Sequence, residues 1–227
     1  MQTFTTTLLE KKELTKNVYA LTFTKPEDFE FFAGQFIQFL IPQDEKAIPR
    51  AYSLCSSAQE KDLLFCVKYL ENGVASEYFD QMNVGDNLKM RGPRGNFYIK
   101  GDVQTVELIA TGTGIAPMMG ILREELLYKK NPAHFHLLFG VRHEEDLFWQ
   151  KEFQQLAEQQ DNFTVDFTLS QPKSKKWPGL MGRVTGHVKP KPDTHYFLCG
   201  SAPMVKDVRT LLLEAGVEKT MVHFEIF

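Results

Sequence analysis

The chain of 227 residues has few cysteines, little net charge and no long hydrophobic run. Its three cysteines are odd in number and widely spread, which matches neither a disulfide framework nor the spacing of metal ligands. An iron–sulfur cluster needs about four thiolates, so the sequence predicts no cluster in this chain. A net charge of −3 provides no basic field for nucleic acid or anionic lipid, and we expect neither partner.

Signals for secretion and membrane insertion are also missing. Residues 1–5 lack the basic and apolar regions of a signal peptide, and no stretch approaches the ~18 apolar residues of a membrane span. We therefore expect a cytoplasmic protein. The chain has instead a hydrophobic fraction of 43% and 19 phenylalanines, which is typical of a protein that buries a sizeable, strand-rich core.

The pattern of apolar residues changes near residue 100. Before it, short strand patterns separated by proline and glycine predict a small antiparallel barrel or sandwich over residues 1–100, with one helix at 76–82. Of the two we expect a Greek-key antiparallel β-barrel. After it, strands alternate with helices, which predicts an α/β domain with a parallel sheet over residues 101–227. Helices are predicted there at 115–129, 145–159 and 202–215.

Thr111-Gly112-Thr113-Gly114 follows the first strand pattern of the second half and precedes a helical pattern. The two glycines let the backbone approach a diphosphate closely, and Pro117 lies in the first helical turn, where its missing N–H costs nothing. Free amides and the positive helix end would then face an anion. An ordinary tight turn is the alternative, because Pro117 occupies the third glycine position of the Gly-x-Gly-x-x-Gly fingerprint.

A second candidate phosphate site is Gly73-Val74-Ala75-Ser76, at the start of the helix predicted in the first half. Ser76 either caps this helix or holds a phosphate. Arg50 supplies the planar, permanently charged donor that suits a pyrophosphate, although a single arginine is more often a solvated surface charge.

The segment around Arg50 carries a family resemblance. Arg50-Ala51-Tyr52-Ser53-Leu54-Cys55-Ser56 resembles the flavin motif Arg-x-Tyr-Ser-x-x-Ser of the ferredoxin–NADP reductase family. On a strand, its arginine and tyrosine point to one face and can line one groove. Further family motifs follow in order over nearly the whole chain: Gly73-Val74-Ala75-Ser76, Gly92-Pro93-Arg94-Gly95-Asn96-Phe97, Thr111-Gly112-Thr113-Gly114, Gly140-Val141-Arg142 with Asp146, Gly182-Arg183-Val184, and Cys199-Gly200 with Met204.

The resemblance implies roles for the first half. In the family the arginine neutralises the flavin pyrophosphate, the tyrosine packs against the isoalloxazine ring, and the first serine donates to flavin N5. These residues match Arg50, Tyr52 and Ser53. The resemblance therefore implies FAD as the cofactor and NAD(P)H as its reductant.

It also implies roles for the second half. The family places a cysteine beside nicotinamide C4, a glutamate near the flavin and a final aromatic ring on the flavin, which match Cys199, Glu225 and Phe227. Cys199 as a small buried hydrophobe and Phe227 as a core ring are the alternatives. If Phe227 is a gate that the nicotinamide displaces, its truncation should tighten nucleotide binding.

The predicted site follows from these matches. The predicted catalytic residues are Ser53, Cys199, Glu225 and Phe227. The predicted cofactor-binding residues are Arg50, Ala51, Tyr52, Ser53, Cys66, Val67, Lys68, Gly73, Val74, Ala75, Ser76, Thr111, Gly112, Thr113, Gly114, Pro117, Arg142, Ser170, Gln171, Cys199, Gly200, Met204 and Phe227. Most of the catalysis should be positioning, because hydride transfer from nicotinamide C4 to flavin N5 needs the reacting atoms about 3–3.5 Å apart.

The choice of nucleotide is less specific. NADPH-preferring relatives often follow Ser170 with an arginine that pairs with the 2′-phosphate, and this chain has Gln171, which favours NADH slightly. Arg142 or the lysines within residues 173–176 could still reach a phosphate.

The electron acceptor must be separate, since the sequence predicts no cluster. A ferredoxin or flavodoxin, an oxygenase component and a small molecule all fit. Two other functions stay open: a flavin-binding electron-transfer subunit or redox sensor without turnover of its own, and a reductase that uses free flavin as substrate.

Overall fold

The computed structural model describes residues 1–43 and 46–227, which form two compact units. The first unit comprises residues 1–98 and 116–129, and the second comprises residues 99–115 and 130–227. The predicted fold class is confirmed, because the first unit contains an antiparallel sheet and the second a parallel sheet with helices. The boundary at residue 100 stays a prediction.

Residues 1–43 and 46–98 of the first unit form six strands and a helix. The strands are β1 (Gln2–Thr15), β2 (Val18–Thr24), β3 (Phe36–Gln43), β4 (Lys46–Ser53), β5 (Asp62–Lys68) and β6 (Asn87–Arg94), and helix α1 spans Val74–Gln81. The strand order is β4-β3-β6-β1-β2-β5, with antiparallel pairing throughout. A bridge between Leu54 and Phe65 links the chain after β4 to β5, so the two ends of this order approach one another, as barrel closure requires.

Aromatic rings fill the core of the first unit. Phe23, Phe39, Phe65 and Phe79 are fully buried, and Phe39 makes edge-on contacts with the other three at centroid distances of 4.7 to 5.7 Å. Edge-on packing suits the quadrupoles of these rings. Since Phe79 belongs to α1, this core fixes the helix against the sheet.

The second unit has six parallel strands. They are β7 (Thr105–Thr111), β8 (His134–Val141), β9 (Phe163–Leu169), β10 (Leu180–Met181), β11 (His195–Gly200) and β12 (Val222–Ile226). Their order is β10-β9-β8-β7-β11-β12. From β7 the chain adds β8, β9 and β10 in turn on one side. It then crosses to the other side of β7, where it adds β11 and β12. Strand β7 is buried along most of its length, as parallel strands covered on both faces are.

Three further helices complete the fold: α2 (Ile115–Leu122), α3 (Gln150–Gln159) and α4 (Ala202–Glu214). Helix α2 begins after β7, its residues from 116 onward belong to the first unit, and it continues as a π-helix over Arg123–Tyr128. Within residues 1–43 and 46–227, no helix is long and apolar enough to cross a membrane.

The prediction of a helix from residue 145 is wrong for its first five residues. Glu144–Asp146 forms a 3₁₀ turn in which the Asp146 carboxylate accepts the backbone N–H of His143 at 3.0 Å. Trp149 then adopts a left-handed backbone, φ 57°, with its ring buried beside Phe148. Burial of these two rings interrupts the helical path, and α3 starts only at Gln150.

Candidate cofactor and nucleotide sites

Strand β4 presents the predicted flavin residues at the edge of the sheet order. Arg50 is exposed, and among the described atoms its guanidinium donates to the carbonyl of its neighbour Pro49 at 3.1 Å. Tyr52 is half-buried and packs on Phe39, with ring centroids 4.8 Å apart. Burial raises the pKa of Tyr52 to about 12, although Arg50 opposes the shift. The ring therefore stays neutral, and Arg50 is the cation of the motif.

The other two residues of the motif differ in exposure. Ser53 is buried, with 3% of its surface accessible, and pairs with Phe36 of β3, whereas Ala51 is exposed and pairs with Gln38. Strand β4 ends at Ser53, and the backbone N–H of the next residue, Leu54, donates to the Gln35 carbonyl at 2.9 Å. Ser53 is thus held at a fixed position next to the loop that precedes β3.

Helix α1 begins at Val74, with Gly73 as its N-cap and no side-chain cap hydrogen bond. The alternative in which Ser76 caps the helix is therefore wrong. The Ser76 hydroxyl oxygen instead accepts the backbone N–H of Leu70 at 2.7 Å and fixes the turn before the helix. The first backbone amides of α1, including those of Val74 and Ala75, carry the partial positive charge of the helix N-terminus.

The C-terminal end of α1 is clamped from β1. The Lys11 ammonium donates to the carbonyls of Phe79, Asp80 and Met82 at 3.1, 3.1 and 2.9 Å. A cation at this end satisfies carbonyls that have no partner within the helix and complements its dipole. Lys11 therefore fixes the direction in which the α1 N-terminus points.

Strand β5 contains three predicted cofactor-binding residues, Cys66, Val67 and Lys68. Cys66 and Val67 are buried in the core of the first unit, so their side chains face away from solvent, whereas Lys68 is exposed. Tyr69 comes next, and its ring stacks on that of Tyr19 at 4.2 Å. Its phenolic oxygen is buried and lacks a hydrogen-bond partner among the described residues.

The π-helix after α2 packs against the end of the flavin motif. The Glu124 carboxylate accepts hydrogen bonds from the Ser57 hydroxyl and, at 3.0 Å, from the Ala58 amide. Arg123 pairs with Glu60 at 2.7 Å. A Cβ at Gly120 would lie 2.7 Å from the Leu54 carbonyl oxygen, so only glycine allows this approach. These contacts could not be predicted from local sequence patterns, because the residues that make them lie more than 60 positions apart.

The predicted loop of the second unit lies at the point where the strand order reverses. Thr111-Gly112-Thr113-Gly114 follows β7, and Gly200 ends β11, the strand beside β7 that begins the other side of the sheet. Ligands of open α/β sheets bind outside the carboxyl ends of strands at this switch point. Pro117 lies in the first turn of α2, as predicted.

Close packing at the switch point requires two of these glycines. A Cβ at Gly114 would collide with the carbonyl oxygen of Cys199, and a Cβ at Gly200 would collide with the Thr111 hydroxyl. Gly112 is different: its φ is 54°, and a Cβ there would meet nothing within 4 Å. Gly114 and Gly200 thus bring the two loops together, and Gly112 leaves open space above them.

The structure brings the predicted catalytic residues of the second unit together. Cys199 of β11 pairs in register with Glu225 of β12, and the Phe227 amide donates to the Gly200 carbonyl at 3.2 Å. Cys199 is fully buried, while 53% of the Phe227 surface is exposed, so its alternative as a core ring is wrong. Burial, and then the charge of Glu225, raise the pKa of the Cys199 thiol well above its usual range. A neutral thiol is therefore expected, which excludes a thiolate nucleophile.

The loops after β8 and β9 lie beside one another. The Ser170 amide donates to the Val141 carbonyl at 3.0 Å and the Gln171 amide to the Arg142 carbonyl at 2.9 Å. His143 Nδ1 lies 2.6 Å from the Gln171 carbonyl oxygen, to which it donates. Arg142, Ser170 and Gln171 are exposed, so the three predicted residues share one loop surface.

Family models match both halves of the chain. The Oxidoreductase FAD-binding domain matches residues 5–99, and the Oxidoreductase NAD-binding domain matches residues 108–210. A Ferredoxin--NADP reductase B of Sorangium cellulosum is 32% identical over 98% of this chain and 96% of its own length. The chain belongs to the ferredoxin–NADP reductase family.

Two further relatives show the range of this family. The electron transfer component of toluate 1,2-dioxygenase from Pseudomonas putida is 27% identical over 95% of this chain, which spans 65% of that relative. The crystal structure of a cytochrome P450 reductase from Amycolatopsis has a TM-score of 0.89 and 26% identity, over 100% of this chain and 70% of its own. The chain is an NAD(P)H-dependent FAD oxidoreductase that transfers electrons to a separate acceptor, as predicted.

The residues of the first unit fit FAD. The exposed Arg50 guanidinium, the α1 N-terminus and the Tyr69 hydroxyl, which has no hydrogen-bond partner among the described residues, are polar groups that a pyrophosphate and a nucleotide can satisfy. The half-buried Tyr52 ring offers a flat apolar surface. The sequence analysis did not include Tyr69, although it directly follows the predicted Lys68.

Proposed function

We propose that the first unit holds FAD and the second binds a reduced pyridine nucleotide, and that the electrons go on to a ferredoxin. FAD, when bound, would supply the redox chemistry between the nicotinamide and the acceptor. A cytoplasmic location is part of the proposal and is supported by three free cysteines, which are typical of reducing compartments.

The observation that carries this proposal is the glycine packing at the switch point. Gly114 and Gly200 press the loops after β7 and β11 against one another, and Gly112 keeps the space above them open. Backbone amides at this place, followed by the start of α4 at Ala202, favour an extended anionic ligand. A nucleotide diphosphate has this chemistry.

In the first unit, Arg50 and the α1 amides would neutralise the FAD pyrophosphate, with Lys11 holding α1 in position. Tyr52 would pack against the flavin ring. The fixed Ser53 hydroxyl would donate to flavin N5. Because none of these groups changes its bonds during the reaction, their contribution is orientation and electrostatic stabilisation.

In the second unit, the neutral Cys199 thiol and the neighbouring Glu225 carboxylate would shape the nicotinamide pocket. Phe227 would cover the flavin until the nicotinamide displaces it. Its backbone amide is bound to the Gly200 carbonyl of β11, while its ring is 53% exposed, which suits a ring that moves aside.

The proposal of a ferredoxin as acceptor is supported by the relative of nearly equal length, a ferredoxin–NADP reductase. The test supplies the FAD-loaded protein with NADH or NADPH and compares a ferredoxin, a flavodoxin, ferricyanide and free FMN. We expect ferredoxin reduction at a higher kcat/KM than FMN reduction. A colourless protein that reduces only free flavin would establish the flavin reductase, and a yellow protein inert to both nucleotides would establish the sensor.

A further inference from the structure

The loop that follows β9 contains an anion site already filled by the chain itself. The Glu144 carboxylate accepts the backbone N–H of Lys173 at 3.0 Å and that of Ser174 at 2.8 Å. Successive amides that converge on one anion form a nest of the kind that binds phosphate. These two hydrogen bonds, and others to backbone, lower the pKa of Glu144, so the carboxylate stays charged at neutral pH.

One cation of the same loop is also paired within the chain. The Lys173 ammonium forms an ion pair with the Glu145 carboxylate. Both partners are more than half exposed, at 62% and 54%, so the pair is accessible to a ligand. Two amides and one ammonium of this loop, groups that suit a phosphate, are thus engaged by Glu144 and Glu145. Arg142, Lys175 and Lys176 are the other cations of these two loops.

The place of this loop gives these contacts a consequence for substrate choice. Strand β9 lies two strands from β7, so with strands ~4.8 Å apart its end is about 10 Å from the end of β7 at the switch point. An extended dinucleotide bound at the switch point can reach that far. The loops after β8 and β9 then meet the adenosine ribose, where an acidic residue suits a free 2′-hydroxyl and a cation suits a 2′-phosphate.

We propose that Glu144 and Glu145 select NADH by occupying the amides and the ammonium that a 2′-phosphate would need. Glu144 stands in the nest as an internal anion, and a 2′-phosphate brought to it would meet two carboxylates. A further negative charge brought to these two carboxylates is disfavoured, which makes this a repulsive device against NADPH. The inference rests on the proposed nucleotide site of the second unit and names its substrate.

The test compares three forms of the FAD-loaded protein: wild type, Glu144→Ala/Glu145→Ala and Glu144→Gln/Glu145→Gln. The wild type should have a higher kcat/KM for NADH than for NADPH. The alanine pair frees the nest and Lys173, so kcat/KM for NADPH should rise roughly tenfold, with NADH changed less than about twofold. The glutamine pair removes charge but retains acceptors for the amides, and its gain should be smaller. Glu158→Gln, an exposed acid on α3, is the matched control.

Calorimetry with 2′-AMP and 5′-AMP provides a second measurement that needs no turnover. Wild type should bind 5′-AMP more tightly, and the alanine pair should shift the preference toward 2′-AMP. An unchanged NADPH-to-NADH ratio in both double variants would overturn the inference, as would a wild type that prefers NADPH or binds neither AMP. Loss of flavin reduction by both nucleotides would instead contradict the proposed function, and the AMP affinities would still decide the inference.

Discussion

The two units build their candidate sites in different ways. In the first unit the predicted contacts are side chains on an accessible strand, Arg50 and Tyr52 above all, supported from behind by an aromatic core. In the second unit the contacts are backbone, created where Gly114 and Gly200 let two loops meet. A substitution in a site made of side chains should lower the affinity for its ligand. A substitution of a glycine in a site made of backbone should disrupt the local structure.

The largest effect is expected for Gly114→Ala. The new methyl group collides with the Cys199 carbonyl, so the loops after β7 and β11 must separate, which should cost about 3 kcal/mol. Both tryptophans, Trp149 and Trp177, belong to the second unit, so tryptophan fluorescence during urea unfolding reports on that unit. Gly186→Ala, where a Cβ meets nothing within 4 Å, is the control. Equal stability of the two variants would refute a packing role for Gly114.

Arg50→Gln should act on affinity and leave the fold intact. Loss of the charge-assisted hydrogen bonds to a pyrophosphate should cost about 2 kcal/mol, which is roughly thirtyfold in the Kd of FAD. Titration of the apoprotein by flavin fluorescence measures this Kd. Lys89→Gln, an exposed cation on β6 of the same sheet, should leave it unchanged. An equal drop in FAD affinity in both variants would show that Arg50 acts only through the overall charge of the unit and makes no specific contact with the pyrophosphate.

The stability of the second unit should depend on pH through Glu107 and His136. The buried Glu107 carboxylate contacts His136 at 2.5 Å and Lys191 at 2.6 Å. Burial raises the pKa of Glu107, but its bonds to His136 and Lys191 outweigh burial and lower it below 4.5. Burial likewise lowers the pKa of His136, and its bonds to Glu107 and Asp166 raise it above 6.5.

The signs of these shifts define a window of stability. Glu107 stabilises the fold above pH 4.5, and this contribution is lost as the pH falls through its lowered pKa. His136 stabilises it below pH 6.5, and this contribution is lost as the pH rises through its raised pKa. Between these values the wild type should exceed Glu107→Gln by about 2 kcal/mol in urea unfolding followed by tryptophan fluorescence. A difference that does not vary with pH would contradict this account.

The smallest expected effect is that of Phe227→Ala. Without the exposed ring the nicotinamide has nothing to displace, so the Kd of NADH should fall by a few-fold. Phe224→Ala removes another exposed ring from β12 and serves as the control. An unchanged Kd for NADH and NADPH would show that Phe227 is not a gate.

The sequence predicted the parts of the fold in which local pattern and tertiary structure agree. The apolar residues at 106–110, 134–139 and 163–169 predict strands, and β7, β8 and β9 extend no more than two residues beyond these ranges. Strand β1 was not predicted at all. Register shifts at Leu8/Glu10 and Glu13/Thr15 break its alternation, and its hydrogen bonds go to β2 and to the distant β6. Nothing within residues 2–15 themselves signals those partners.

The candidate sites follow the same division. The motifs around Arg50 and Gly112 are contiguous, so they could be recognised from the sequence. Glu144 was not predicted as a site residue, because its bonds to the amides of Lys173 and Ser174 cross about 30 residues. The contact of Gly114 with Cys199 joins loops 85 residues apart and depends on the parallel register of β7 and β11.

The central claim is that the first unit holds a flavin which the nucleotide of the second unit reduces. Its most direct test is an anaerobic titration of the FAD-loaded protein with NADH, in which the flavin absorbance is recorded. Bleaching of the flavin that is complete after one equivalent is the expected result. Tight FAD binding with an absorbance that neither NADH nor NADPH alters would contradict the account.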